Sequence, residues 1–182
     1  MAFHILEAQI RECFARVVYS HKTHEKCADL LLSKLHRIKL VQIILSAIIA
    51  GGFITIVFDS GKMGATIGVG ISVVLLTLNA YVKDYNLGEM AQQHRQAASA
   101  LWLIRERYLS LLADIIIMNK TVENIQMERD NLAIELQSVY KGCPSTNDNA
   151  YKKAQKALKI SEEMTFSTKE IDAFLPEELK RY

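Results

Sequence analysis

Two uncharged runs, residues 40–58 and 63–82, stand only four residues apart. At about 1.5 Å of rise per residue each run forms a helix of roughly 30 Å, the thickness of a bilayer's hydrocarbon core. The Asp59-Ser60-Gly61-Lys62 connection can turn a pair of helices but cannot build a domain. Helices apolar on every side need a lipid solvent or a large surrounding protein, and a chain of 182 residues supplies little to surround them. A removable signal peptide is the competing explanation for one run. The first run begins near position 40, and the opening ten residues lack a basic segment followed by an apolar one.

Basic side chains set the expected orientation, because Lys and Arg in short flanks resist translocation. Lys22, Lys26, Lys34, Arg37 and Lys39 precede the first run and Lys83 follows the second, whereas the connection carries only Lys62 beside Asp59. Both termini are therefore expected in the cytoplasm. Six of the eight glycines lie between Gly51 and Gly70 and only two prolines occur, so the flanks contain few helix breakers. The expected fold is an all-α integral membrane protein. Residues 1–39 form a cytoplasmic N-terminal helical segment, and 40–82 a transmembrane hairpin of spans 40–58 and 63–82 with loop 59–62. Cytoplasmic coiled-coil-like helices over 83–142, a linker over 143–149 and C-terminal helices over 150–182 follow.

Helices in lipid associate through small residues and occasional hydrogen bonds. The first run offers Ser46, Ala47, Ala50 and Gly51, and the second a GxxxG match from Gly64 to Gly68. Ala65, Gly68, Ser72, Leu76 and Asn79 recur at steps of three and four, a small and mildly polar stripe on one helix face. Such a stripe packs the hairpin shut or lines an oligomeric pore. Neither run contains an ionisable residue, which argues against proton relays and charged selectivity rings.

Phe3, Leu6, Ile10, Phe14 and Val17 keep helical spacing, and a second helix from about Ala28 can continue into the first run. Leu87, His94, Leu101, Tyr108 and Ile115 recur every seven residues, accompanied by Ala91, Ala98, Arg105 and Leu112. Together they form a coiled-coil-like seam continuing from the second span, for which a second copy of the chain is the expected partner and burial within one chain against the N-terminal and Val122 to Val139 helices the alternative. His94 and Arg105 are its only ionisable members, candidates for fixing register or coupling a signal, and Trp102 lies one residue off the seam as a packing anchor. Thr121 is placed to cap a helix carrying Val122, Ile125, Leu132, Leu136 and Val139 that stops at Gly142-Cys143-Pro144. Ala150, Ala154, Ala157, Leu158 and Met164 mark a further helix. Ser167-Thr168-Lys169-Glu170 opens a short one containing Ile171 and Phe174.

Chemistry-bearing motifs are few. His21, His24 and Cys27 are spaced three apart, but successive steps of three rotate around a helix and leave a metal poorly enclosed. No Walker loop, GxGxxG, HExxH or nucleophile-base pair is present, so neither an enzyme, a cofactor nor a metal is expected. The net charge of +2 is too small for phosphate-dominated nucleic-acid binding. Three scattered cysteines, Cys13, Cys27 and Cys143, fit reduced thiols.

His21-Lys22-Thr23-His24-Glu25 before the hairpin, Leu78-Asn79-Ala80-Tyr81 ending it, and Leu87-Gly88-Glu89, Leu101-Trp102 and Ile104-Arg105-Glu106 after it resemble the SLATT family. Tyr140-Lys141, Ala150-Tyr151-Lys152-Lys153-Ala154 and Phe174-Leu175-Pro176 extend the likeness over nearly the whole chain. These are two-transmembrane effector domains associated with bacterial nucleotide-signalling and SLOG-type defence systems, and the match looks closest to the fifth subfamily. The resemblance implies an antiviral effector in the bacterial inner membrane. Such an effector oligomerises to form a pore or perturb the bilayer when a partner nucleotidyltransferase or reverse transcriptase signals infection, with a nucleotide second messenger as a possible ligand. It offers no catalytic residues. A non-toxic membrane-anchored scaffold and a small regulated ion channel are the alternatives.

Overall fold

The computed structural model describes residues 2–58 and 62–181, with side chains for 3–51 and 64–181. The described residues are all-α: α1 (Ala2–Phe58), α2 (Lys62–Tyr85), α3 (Leu87–Ile117), α4 (Val122–Gly142), α5 (Asp148–Lys159) and α6 (Thr168–Phe174), followed by a 3₁₀ turn at Glu177–Leu179. The connection read as a turn lies, at residues 59–61, outside the described residues.

The first departure from expectation is that α1 is one helix of 57 residues rather than two. No glycine or proline interrupts the chain before Gly51, and a single buried seam persists along it. Leu6, Ile10, Val17, His21, His24 and Ala28 are buried, and the seam continues through the half-buried Leu31, Leu35, Ile38, Gln42, Leu45 and Ile49. Steps of three and four throughout keep one stripe of the helix facing its partners.

Those partners are α3 for the N-terminal half and α2 for the C-terminal half. Cross-helix pairs fall all along α1: Gln42 with Asn79, Lys34 with Tyr81, Asp29 with Arg95, His24 with His94 and His21 with Trp102. The arms α2 and α3 thus run antiparallel to α1 as one interrupted rod. The interruption is Asn86, whose φ of 37° and ψ of 52° are left-handed, a conformation that asparagine tolerates better than most residues. The seam expected to continue from α2 into α3 therefore passes through a one-residue break.

Around this rod the helices close a core. Leu101, Ile104, Tyr108, Leu111 and Ile115 of α3 meet Leu6, Ile10 and Val17 of α1 and Ile125 and Leu132 of α4. Each such large side chain contributes about 1.5–3 kcal/mol relative to exposure. The seven-residue seam of α3 is thus satisfied within one chain. Its buried face is wider than the sequence pattern, since Ile104 and Leu111 are buried as well, while Arg105 and Leu112 are only half-buried.

Capping fixes the remaining boundaries. Thr121 accepts from the Asn124 N–H, Asn147 accepts from the Ala150 N–H, and Ser167 and Glu170 form a reciprocal capping box. Ala150, Ala154 and Ala157 are buried, which lets α5 lie close against α1. In α6 the apolar side chains do not form the buried face. Ile171 and Phe174 are exposed while Asp172 is buried, because its carboxylate accepts from the Arg181 backbone N–H at 3.2 Å.

One helical stretch, Gly64–Ile117, contains among the described residues a window long and apolar enough to cross a membrane, with mean hydropathy 1.8 and none of it buried. The first run lies in α1, where described side chains end at Gly51.

Candidate functional site

Two groups of residues fall at positions where function can be read. The first is the small-residue stripe of α2. Of its members only Gly68 is half-buried; Ala65, Ser72, Leu76 and Asn79 are exposed, and the face that meets α1 carries Gly68, Ile71, Leu75 and Leu78 instead. At about 100° per residue the two faces lie roughly a quarter-turn apart. Ala65, Ser72 and Leu76 are therefore turned away from the face that packs α2 against α1. The stripe lines a shallow apolar cavity of about 510 Å³ that includes Ile48 and Ile49 of α1 together with Ala65, Gly68, Ser72 and Leu76. A Cβ added at Gly68 would meet nothing within 4 Å, so this surface is free to accept a neighbouring helix. Ser72 returns its hydroxyl to the Gly68 carbonyl at 2.8 Å, which hides a polar group within its own helix. Asn79 accepts from Gln42 Nε2 at 2.7 Å, a polar tie between α1 and α2 inside an otherwise apolar segment.

The second group lies where α1 crosses α3. Sequence reasoning separated His21 and His24 from His94, Trp102 and Arg105, but the structure strings them along one stretch of the α1–α3 interface. His24 Nδ1 and His94 Nδ1 are 2.9 Å apart, so one ring donates and the other accepts. His21 Nδ1 lies 2.9 Å from the Ala98 carbonyl, and its ring packs 5.3 Å from that of Trp102. The Arg105 guanidinium sits 4.7 Å over Trp102 and 5.5 Å over Phe14, a cation held on two aromatic faces. Trp102 remains 41% exposed, so its ring anchors this stretch from the surface. Cys27 of the histidine-cysteine run turns elsewhere, to Asn147, and the three residues share no point of convergence. No signal in the sequence could have paired His24 with a residue 70 positions away.

Burial dominates the electrostatics. It pushes the His24 imidazole from 6.5 down to about 4, helped by the neighbouring His94 and His21 rings, and it lowers His94 as well. Free histidine takes up a proton near 6.5 while the folded pair stays neutral, so the unfolded chain binds more protons as pH falls. The stability of the bundle is thus full above about pH 6.5 and declines as pH falls toward about 4. At about 1.4 kcal/mol per pH unit, His24 alone removes roughly 3 kcal/mol over that interval. Urea unfolding of the detergent-solubilised chain should show a lower midpoint at about pH 4.5 than at about pH 7; equal midpoints would refute the neutral pair.

A cavity of about 360 Å³ adjoins His24, lined by Tyr19, Ser20, Thr23, Tyr140 and Tyr151 among others. Ser20 Oγ and the Tyr140 hydroxyl close one side at 2.8 Å.

The model of one protein family, described as the SMODS and SLOG-associating 2TM effector domain family 4, matches residues 6–170. The matched description is of family 4, where the resemblance in sequence pointed to the fifth subfamily. No curated protein and no solved structure matches the chain.

Proposed function

Because the chain belongs to the SLATT family of SMODS and SLOG-associating 2TM effector domains, we propose that it is a non-catalytic membrane effector of a bacterial antiviral defence system. Here the paired C-terminal half of α1 and α2 cross the inner membrane as a hairpin, and α3 to α6 stay with the N-terminal half of α1 in the cytoplasm. On a signal from a partner nucleotidyltransferase or reverse transcriptase, copies of the chain associate in the membrane and open a pore or perturb the bilayer. Growth then stops.

The observation that carries this reading is the outward placement of Ala65, Ser72 and Leu76, with open space above Gly68. A stripe of small residues that does not serve the chain's own packing is available to a second copy, and in lipid close approach of backbones is the main source of helix association. The interrupted rod supplies the coupling. A shift of α3 against α1 at the His24–His94 layer moves a helix joined to α2 through the single residue Asn86, so a change of packing in the bundle reaches the stripe.

Membrane potential tests this reading. Cells carrying the chain and its chromosomal neighbours should lose the signal of a potential-sensitive dye when the partner is activated, before growth slows. A potential that holds while the inserted chain accumulates and the partner is active would replace the effector with the scaffold.

A further inference from the structure

The groove between α1 and α5 holds two lysines, Lys153 and Lys156, that the ion pairs around it do not use. Lys26, Asp29, Ser33, Lys153, Lys156, Ser161 and Glu163 border a cavity of about 280 Å³. Both acids are already neutralised. Glu163 is held by Lys22 at 2.8 Å and by Lys26 at 3.1 Å, and Asp29 is held by Arg95 at 2.6 Å. Lys153 and Lys156, one turn apart on the same face, are exposed and make no ion pair among the described residues. The burial of Ala154 and Ala157 beside them seats α5 on α1. Two unpaired ammonium groups with two serine hydroxyls facing the same space provide the donors that a phosphate takes.

The height of the groove identifies the source of that phosphate. Ser33 precedes Lys34, whose Nζ donates to the Tyr81 hydroxyl at 2.6 Å and lies 5.0 Å over the Tyr81 ring. Tyr81 is stacked on Tyr85 at 4.4 Å. Tyrosines with a lysine at the edge of an apolar helix mark a membrane-water interface. Ser33, at the membrane end of the groove, lies seven residues, about 10 Å, before the uncharged run begins, just outside a headgroup layer roughly 5–8 Å deep, and the groove extends from there away from the bilayer to Lys26.

We propose that the α1–α5 groove docks the phosphate headgroup of an anionic lipid of the cytoplasmic leaflet, with Lys153 and Lys156 as its cationic donors and Ser33 and Ser161 as its hydroxyl donors. The site rests on the membrane reading above and deepens it. A lipid held there ties α5 to the bilayer.

Native mass spectrometry of the full chain in detergent, titrated with phosphatidylglycerol and with phosphatidylcholine, tests the site. The parent should prefer phosphatidylglycerol, and Lys153→Ala/Lys156→Ala should weaken that lipid by roughly 30-fold while leaving phosphatidylcholine unchanged. Lys141→Ala/Lys169→Ala, which removes two charges outside the groove, should retain the preference. A preference unchanged in the groove variant overturns the site. Displacement of phosphatidylglycerol by inorganic phosphate at equal concentration overturns the lipid as its source. Carbonate extraction of cell membranes separates the two readings: a chain released by carbonate removes the membrane reading and the lipid site together, whereas a retained chain with unchanged preference removes the lipid site alone.

Discussion

Leu101→Asp is expected to unfold the helical bundle outright. Leu101 is 0% exposed and lies in the cluster where α1, α3 and α4 meet. Removing it leaves a cavity that costs about 2–5 kcal/mol, and a carboxylate placed there without a partner adds a desolvation penalty of several kcal/mol more. A domain of this kind has about 5–15 kcal/mol in all. The neighbouring Leu103 is 61% exposed, so Leu103→Asp should leave the fold intact. Circular dichroism and limited proteolysis of both variants in detergent check the pair. A folded Leu101→Asp chain would mean that the seam of α3 is paired with another copy and not with α1 and α4.

Gly68→Leu is expected to abolish depolarisation without disturbing the chain itself. Within one chain a new Cβ at Gly68 has open space, so the substitution should insert and fold normally. Between chains the same leucine holds two backbones apart at the stripe, where close approach supplies the association energy. Val74 is 51% exposed on the opposite face, and Val74→Leu should be tolerated. Asn79→Leu should fall between them. It removes the hydrogen bond from Gln42, an interaction worth about 1 kcal/mol in a membrane. Dye fluorescence normalised to membrane abundance separates the three. Full depolarisation by normally inserted Gly68→Leu would show that the stripe does not govern activity.

What the sequence made legible is what local chemistry decides. Thr121 and Ser167 cap the helices they were expected to cap, because a hydroxyl three residues ahead of a free N–H needs no tertiary partner. The stop at Gly142 and the burial of Leu87, His94, Leu101, Tyr108 and Ile115 follow equally from spacing. The partner of that seam did not. An apolar stripe is satisfied by a second copy as well as by its own chain, and only the continuous α1, aligned residue by residue from Leu6 to Ile49, decides for the chain. His24 and His94 illustrate the same limit, since their contact depends on the register of two long helices. The burial of Asp172 was not legible, because periodicity weighs apolar residues alone and the carboxylate of this seven-residue helix accepts from a backbone N–H nine residues on. The stripe of α2 was visible as a pattern, but the direction it faces depends on how α2 is turned against α1, where Gln42 donates to Asn79.

The central claim is that the chain crosses the membrane twice and keeps its bundle on the cytoplasmic side, and its topology tests this most directly. Reporters fused at residues 1 and 182 should both read as cytoplasmic, and a tag inserted at Ser60 should read as external. A translocated terminus, or a Ser60 tag protected on the cytoplasmic side together with both ends, would contradict it.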